Sequence, residues 1–160
     1  SAVSQQIRTL EEKFKRRLLE RVRGRREVRL TPAGEVFYRE SKNVLESYEH
    51  LHKLGHAHSV ETWHAGKLAG GLYGVAIGGA FFGESMFSRA SDTSKIALVH
   101  LVWQLERWGF GMIDCQMKTA HLASFGAREI PRNEFSQKLK ELVNYPGRVE
   151  KWYFDYEPVE

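Results

Sequence analysis

LAGGLYGVAIGGAFFGESMF, residues 68–87, constrains the fold more than any other stretch of the chain. Two apolar, strand-like runs, LAGGLYGVAI and AFFGESMF, flank Gly78-Gly79. A Gly-Gly pair suits a two-residue hairpin, because both positions can take positive φ without a Cβ clash. HSVETW reads as a third strand, joined through His64-Ala65-Gly66-Lys67. Asp92 or Thr93 then caps a helix through SKIALVHLVWQLERW, and Gly109 closes it. GMIDCQ reads as a short strand, and Pro131 opens a last helix, RNEFSQKLKELV, which Pro146 prevents from continuing. The alternating aromatic WYFDY reads as a final strand. Strands, helix, strand, helix predict an α+β domain: a mixed sheet with flanking helices.

The first third of the chain has a different pattern. Val3, Ile7, Leu10, Phe14 and Leu18 recur at helical intervals, predicting a helix from Ala2 to Leu19. VRGRREVRLTP reads as a small β-wing around Gly24. Thr31-Pro32 starts a second helix, with Thr31 as N-cap, and nothing breaks it before Gly55. Its apolar residues Val36, Phe37, Val44, Leu45, Tyr48 and Leu51 are expected to be buried, within the chain or against a second copy, so a homodimer is a possible outcome. Residues 1–47 hold 12 Lys/Arg against 7 Asp/Glu, whereas residues 48–160 hold 12 against 13. A basic head on a near-neutral body points to a polyanion partner, or to a solvated helix surface.

SAVSQQIRTLEE, RRLLERV and RREVRLTPAGEVFY together resemble the winged helix-turn-helix of LysR-type transcription regulators, over residues 1–47. The resemblance implies that Ser4, Gln5 and Gln6 face bases, and that Arg8, Arg23, Arg25, Arg26 and Arg29 touch the DNA backbone. DNA would then be met through residues 1–30. Gln can pair bidentately with adenine and Arg neutralises phosphate, so the chemistry is sound. The resemblance starts at the recognition helix, however, without the two helices that hold it in that family. Phe14 also runs straight into Lys15-Arg16-Arg17, where the family has Gly. The expected use of this segment is as helical scaffold.

From about Tyr48 to residue 156 the chain resembles the leucyl/phenylalanyl-tRNA–protein transferases. The motifs GESMFSR and IDCQ…HLASFGAREIPR carry the likeness. It implies a GNAT-like α+β fold over residues 48–160 that moves Leu, Phe or Met from aminoacyl-tRNA to the N-terminal Arg or Lys of a protein. It implies no metal and no organic cofactor, since the tRNA ester is already activated. Asp114 and Gln116 would be the central catalytic pair, alternation along the strand putting both on one face. Glu84 would orient the ester or the amine. Leu72, Phe81, Met86 and Leu105 would wall the pocket for the transferred side chain. Taken alone, an Asp at a strand end is more often a turn residue, and Phe81 and Met86 are core residues by default. The family's other half, which precedes Tyr48, is replaced here by the regulator-like segment. The expectation is therefore a chimera with weak or absent transferase activity. The alternatives are a nucleic-acid-binding module and an engineered chimeric fold without native function.

Other features narrow the options. The 160 residues suffice for one good domain or two very small ones. No apolar run approaches a membrane span, so no membrane association is expected. SAVSQQIR has no apolar core of a signal peptide, and its lack of Met suggests an end cut from a longer protein. Cys115 is the single cysteine, which excludes an internal disulfide and fits a cytoplasmic setting. It reads as a buried structural thiol, because no base is placed to activate it. His50, His52, His56, His58 and His64 cluster, and His52 and His56 stand i,i+4. Gly55 is expected to end the helix between them, so no metal site is expected. GGLYGVAIGG lacks the GxGxxG order of a dinucleotide loop, and no coenzyme-A pyrophosphate turn is found.

Overall fold

The computed structural model describes residues 2–21 and 27–156. The chain divides into two compact units, Ser1–Glu49 and His50–Glu160, and the division falls inside a helix.

The first unit holds α1 (Ala2–Phe14), β1 (Leu19–Arg21), β2 (Val28–Leu30) and most of α2 (Pro32–Lys53). α1 ends at Phe14, earlier than its apolar spacing predicts, because Lys15 takes a left-handed φ of 51°. The Glu11 carboxylate then accepts from the freed N–H groups of Leu18 (2.7 Å) and Leu19 (3.1 Å). Those two bonds hold its pKa below the usual carboxylate range. β1 and β2 pair antiparallel, Leu19 opposite Leu30, forming the expected wing. The Gly24 turn lies outside the described residues. Thr31 caps α2 as predicted: its Oγ1 accepts from Gly34 N–H at 3.0 Å and donates to Arg17 O at 2.6 Å. Gly34 is required there, because a Cβ would stand 2.0 Å from the Leu18 carbonyl oxygen. α2 then runs unbroken to Lys53, through the whole predicted span.

Of the two ways in which the apolar stripe of α2 is expected to be buried, cover within the chain is not found among the described residues. Val36, Val44 and Leu45 are 50%, 54% and 63% exposed. Phe37 meets the Phe14 ring at 5.4 Å, and Leu18 is the buried apolar side chain among this unit's described residues. Helical spacing shows which residues share a face; it does not supply the neighbour that would cover it.

The second unit is built on a four-stranded sheet. β3 (Ala57–His64), β4 (Lys67–Ile77), β5 (Ala80–Ser88) and β6 (Met112–Asp114) lie in that order. The first three form an antiparallel meander, and Ile77 pairs with Ala80 across the predicted Gly78-Gly79 hairpin. β6 pairs with β5 in parallel, which requires a crossover, and α3 (Thr93–Arg107) supplies it. Ala97, Leu98, Leu101 and Leu105 form one stripe of α3 and pack on Leu72, Ala76 and Phe81. Each large apolar side chain buried this way contributes roughly 1.5–3 kcal/mol. α4 (Ala120–Ala123) is a single turn capped by Thr119, and α5 (Arg132–Leu142) follows Pro131. Gly78, at φ +57°, lies against the end of α5; a Cβ there would stand 2.2 Å from Leu142 O. This is the mixed α+β arrangement expected from the order of elements.

The predicted WYFDY strand does not form. Its polar groups go elsewhere: Asp155 N–H donates to the buried Gln104 Oε1 at 3.0 Å, and Trp108 Nε1 donates to Asp155 Oδ2 at 2.9 Å. Its rings pack instead. Trp152 stacks on His58 with centroids 3.6 Å apart and planes at 8°. His58 is buried, with Nε2 2.9 Å from Gly55 O.

Burial lowers the His58 pKa from 6.5 to about 4. The unfolded chain therefore takes up this proton near pH 6.5, and the folded chain only near pH 4. Stability from the neutral ring is complete above pH 6.5 and is lost as pH falls toward 4. We expect denaturant unfolding to show a loss of about 3 kcal/mol from this group between pH 7 and pH 4. The corresponding loss in His58→Gln should be smaller by that amount. Equal losses in the two proteins would assign the acid sensitivity to other groups.

Candidate active site

Asp114 is the last residue of β6, opposite Phe82 of β5. The chain leaves the strand there, and Gln116 takes a left-handed φ of 61°. Strand alternation therefore does not place residues 114 and 116, as the sequence suggested. The turn does: Gln116 N–H donates to Asp114 Oδ1 at 2.8 Å. The carboxylate thus holds the main chain of Gln116, where the sequence suggested a grip on its side-chain amide. Asp114 and Gln116 both line a cavity of about 570 Å³. Lys118, Arg128, Glu129 and Arg132 supply the other charges of its wall.

A second, apolar cavity of about 150 Å³ lies beside it. Leu72, Phe81, Met86, Leu98 and Leu101 line it, with Glu84 at its wall. Glu84 arrives there through a β-bulge. Tyr73 pairs with Ser85 and Gly74 with Gly83, which leaves Glu84 with no partner residue on β4. A bulge re-aims the extra side chain and is common beside functional sites. Leu72 and Met86 are direct cross-strand partners. Leu105 does not line this cavity; it lines a third, of about 300 Å³, with Phe110 and Phe125. Ile113 and Cys115 border all three cavities. Burial, and then the neighbouring Asp114 charge, raise the Cys115 thiol pKa. That agrees with an inert thiol.

The candidates in the basic head are more dispersed. Ser4, Gln5, Gln6 and Arg8 are exposed along α1. Arg29, on β2, is ion-paired to Glu27 at 3.0 Å. Arg23, Arg25 and Arg26 lie outside the described residues. Two of the clustered histidines bond to backbone: His52 Nδ1 is 2.7 Å from Ala57 O, and His58 Nε2 meets Gly55 O.

The profile of the family described as leucyl/phenylalanyl-tRNA protein transferase matches residues 40–140. The chain belongs to that family. The leucyl/phenylalanyl-tRNA–protein transferase of Nitrosospira multiformis is 75% identical over 117 residues, covering 73% of this chain and 50% of that one. The Nitrosomonas europaea protein of the same name is 68% identical over 115 residues, covering 72% and 49%. The chain thus spans about half the length of the curated relatives it matches. Residues 1–35 match a different family, the bacterial regulatory helix-turn-helix proteins of the lysR family. Two unrelated families therefore meet in one chain, and the four residues between the matches lie in α2. Among solved structures, AAC(6')-Iy in complex with a bisubstrate analog is 17% identical, with a TM-score of 0.33 over 72% of this chain and 78% of that one. That likeness is too slight to add to the fold description.

Sequence reasoning missed the charged wall of the larger cavity. Lys118, Arg128, Glu129 and Arg132 stand 4 to 18 residues beyond Asp114, in and around HLASFGAREIPR. The density of charge in that segment was the available signal. The bulge at Glu84 was hinted at by Gly83, since glycine inside a strand often marks one.

The thiol offers a direct probe. We expect Cys115 to react with iodoacetamide more slowly than a free thiol at pH 8, with a rate profile displaced to higher pH. Asp114→Asn keeps the acceptor for Gln116 N–H and removes the charge. It should speed alkylation by a few-fold. An unchanged rate would leave burial as the whole cause.

Proposed function

We propose that the second unit carries the acyl-transfer site of a leucyl/phenylalanyl-tRNA–protein transferase. It would take aminoacyl-tRNA as donor and a protein with N-terminal Arg or Lys as acceptor, in the cytoplasm, as a step of N-end-rule tagging. One observation carries this reading: an apolar cavity and a charged cavity share Ile113 and Cys115 in their walls, with the motif residue Glu84 lining the first and Asp114 and Gln116 the second. Such a pair suits a reaction that must hold an apolar side chain dry and handle a proton a few ångströms away. Leu72, Phe81 and Met86 would hold the transferred Leu, Phe or Met side chain; a flexible Met at that wall accommodates more than one shape. Leu105 would back this wall from the neighbouring cavity.

The chemistry follows. The acceptor's neutral α-amine attacks the aminoacyl ester carbonyl. An N–C bond forms, and the C–O bond to the ribose breaks. One proton leaves the amine and one arrives on the departing ribose oxygen. Gln116 accepts a hydrogen bond from the attacking amine, and Asp114 holds Gln116 in place through its N–H while its charge stabilises the positive charge that develops on the amine nitrogen as the N–C bond forms. Glu84 orients the ester from the bulge. No metal or organic cofactor is called for by these steps. Positioning supplies much of such catalysis, so this span alone should transfer weakly. The test is Phe-tRNA with an Arg-initiated peptide. We expect a slow product that Asp114→Ala and Gln116→Ala each reduce by about 10²-fold or more. Product formation that persists in both variants would overturn the assigned pair.

The lysR-family match over residues 1–35 favours a second reading for the first unit, a nucleic-acid contact through α1 and the wing. Ser4, Gln5 and Gln6 would approach bases, and Arg8, Arg23, Arg25, Arg26 and Arg29 phosphates. We expect duplex DNA to bind with an affinity that falls steeply with salt, and replacing Arg23, Arg25 and Arg26 with Ala should lower the log–log slope by about 3. A slope near zero in the parent chain would remove the phosphate contacts and leave the segment as scaffold.

A further inference from the structure

The charged cavity has a feature the acyl-transfer steps do not use. Lys118 Nζ lies 2.8 Å from Glu129 Oε2, across the wall of the space that Asp114 and Gln116 also line. Two acids line that space among the described residues, Asp114 and Glu129. Asp114 Oδ1 is committed to the Gln116 N–H. The other cations of the wall are drawn aside: Arg128 pairs with Glu134 on α5 at 3.7 Å, and Arg132 lies over the Phe135 ring at 5.6 Å. Glu129 is thus held by a single lysine whose side chain is 57% exposed, its own being 71% exposed.

We infer that Glu129 reads the basic side chain of the acceptor's first residue, and that Lys118 occupies this place when no acceptor is bound. The inference rests on the transferase reading. An ammonium or guanidinium replacing the Lys118 ammonium exchanges one ion pair for another of the same kind. The exposed setting makes the Lys118 pair cheap to open, because solvated pairs are weak, so the net gain for a basic residue comes from a better-held pair and from its stem. Ile130 and Phe135, in the same wall, offer apolar surface for the methylene stem of an Arg or Lys. A neutral or acidic first residue would leave the Lys118–Glu129 pair closed and gain nothing there. Lys118 thereby converts a generic acidic surface into a selective one: a ligand must displace a cation to enter.

The test is equilibrium binding, followed by fluorescence anisotropy, of two peptides that differ only in the first residue, Arg or Gln, each labelled at its C-terminus. The parent chain should prefer the Arg peptide by about fivefold. Glu129→Gln should abolish the preference. Lys118→Ala should tighten the Arg peptide by up to about threefold and leave the Gln peptide unchanged. Raising the salt from about 0.05 to 0.5 M should erode the preference in the parent chain. Circular dichroism of each variant checks that the fold is retained. No preference in the parent chain, a preference that survives Glu129→Gln, or an Arg affinity that falls in Lys118→Ala would each overturn the inference. The reaction itself is judged separately. Transfer that keeps its Arg selectivity in Glu129→Gln defeats only this assignment. Selective binding without transfer defeats only the acyl-transfer reading.

Discussion

Three residues of parallel pairing organise the site. Met112, Ile113 and Asp114 lie beside Ala80, Phe81 and Phe82, and that register brings Asp114 to the cavity wall next to the strand that carries Glu84. Phe81 points into the core with Leu72 and Leu101. Its partner Ile113 becomes the wall between the apolar and the charged cavity. Asp114, one residue on, ends the strand at the cavity's mouth. A parallel neighbour cannot be reached by a tight turn, so α3 must cross the sheet, and its apolar stripe is what fastens the crossover. A slip of one residue in this short strand would exchange Ile113 for Asp114 against the core. Ile113 packs half-buried against the core, and that preference adds to the hydrogen bonds in fixing the register.

The two units rest on unequal foundations. The second buries a continuous core, including Phe81, Leu101 and Leu105 at no more than 2% exposure. The first buries Leu18 and Gly34 among its described residues, and closes its turn with polar contacts from Glu11 and Thr31. Capping bonds of that kind contribute about 1 kcal/mol each. They set local geometry well but supply little cohesion. This follows from what was joined: the lysR-family match covers one helix, a wing and the start of α2, and its apolar residues Val3, Phe14 and Val28 remain more than half exposed.

What could be read from sequence followed the range of the interaction involved. The Gly78-Gly79 hairpin, the Thr31 cap and the unbroken run of α2 are local, and the sequence carries their signals within a few residues. The sheet order was legible in class but not in detail, because parallel pairing of β6 with β5 depends on contacts some 30 residues apart. WYFDY failed as a strand for a similar reason: alternation promises a ladder, and the backbone N–H of Asp155 found Gln104 instead. Val44 and Leu45 are not covered within the chain by its described residues, because periodicity cannot name the partner that would cover them. At the site, Asp114 and Gln116 were legible from the motif. Their geometry was not, because a left-handed residue two positions past a strand end leaves no mark when it is glutamine rather than glycine.

That left-handed glutamine carries a cost of about 1 kcal/mol or somewhat more, and something local must offset it. The Asp114 Oδ1 contact to its N–H is the evident compensation, since a charge-assisted bond of this kind outweighs a neutral one. Residue 114 then has two jobs from one side chain. One oxygen stabilises an unfavourable turn, and the carboxylate's charge remains at the cavity wall. Asparagine could do the first without the second. Alanine could do neither, and would release Gln116 toward an ordinary extended conformation. The same economy explains Cys115 between them. A small, apolar, un-ionised side chain fills the shared wall without adding a charge that would repel Asp114. The charged cavity on one side of that wall and the apolar cavity on the other thus share a residue whose contribution is to remain neutral.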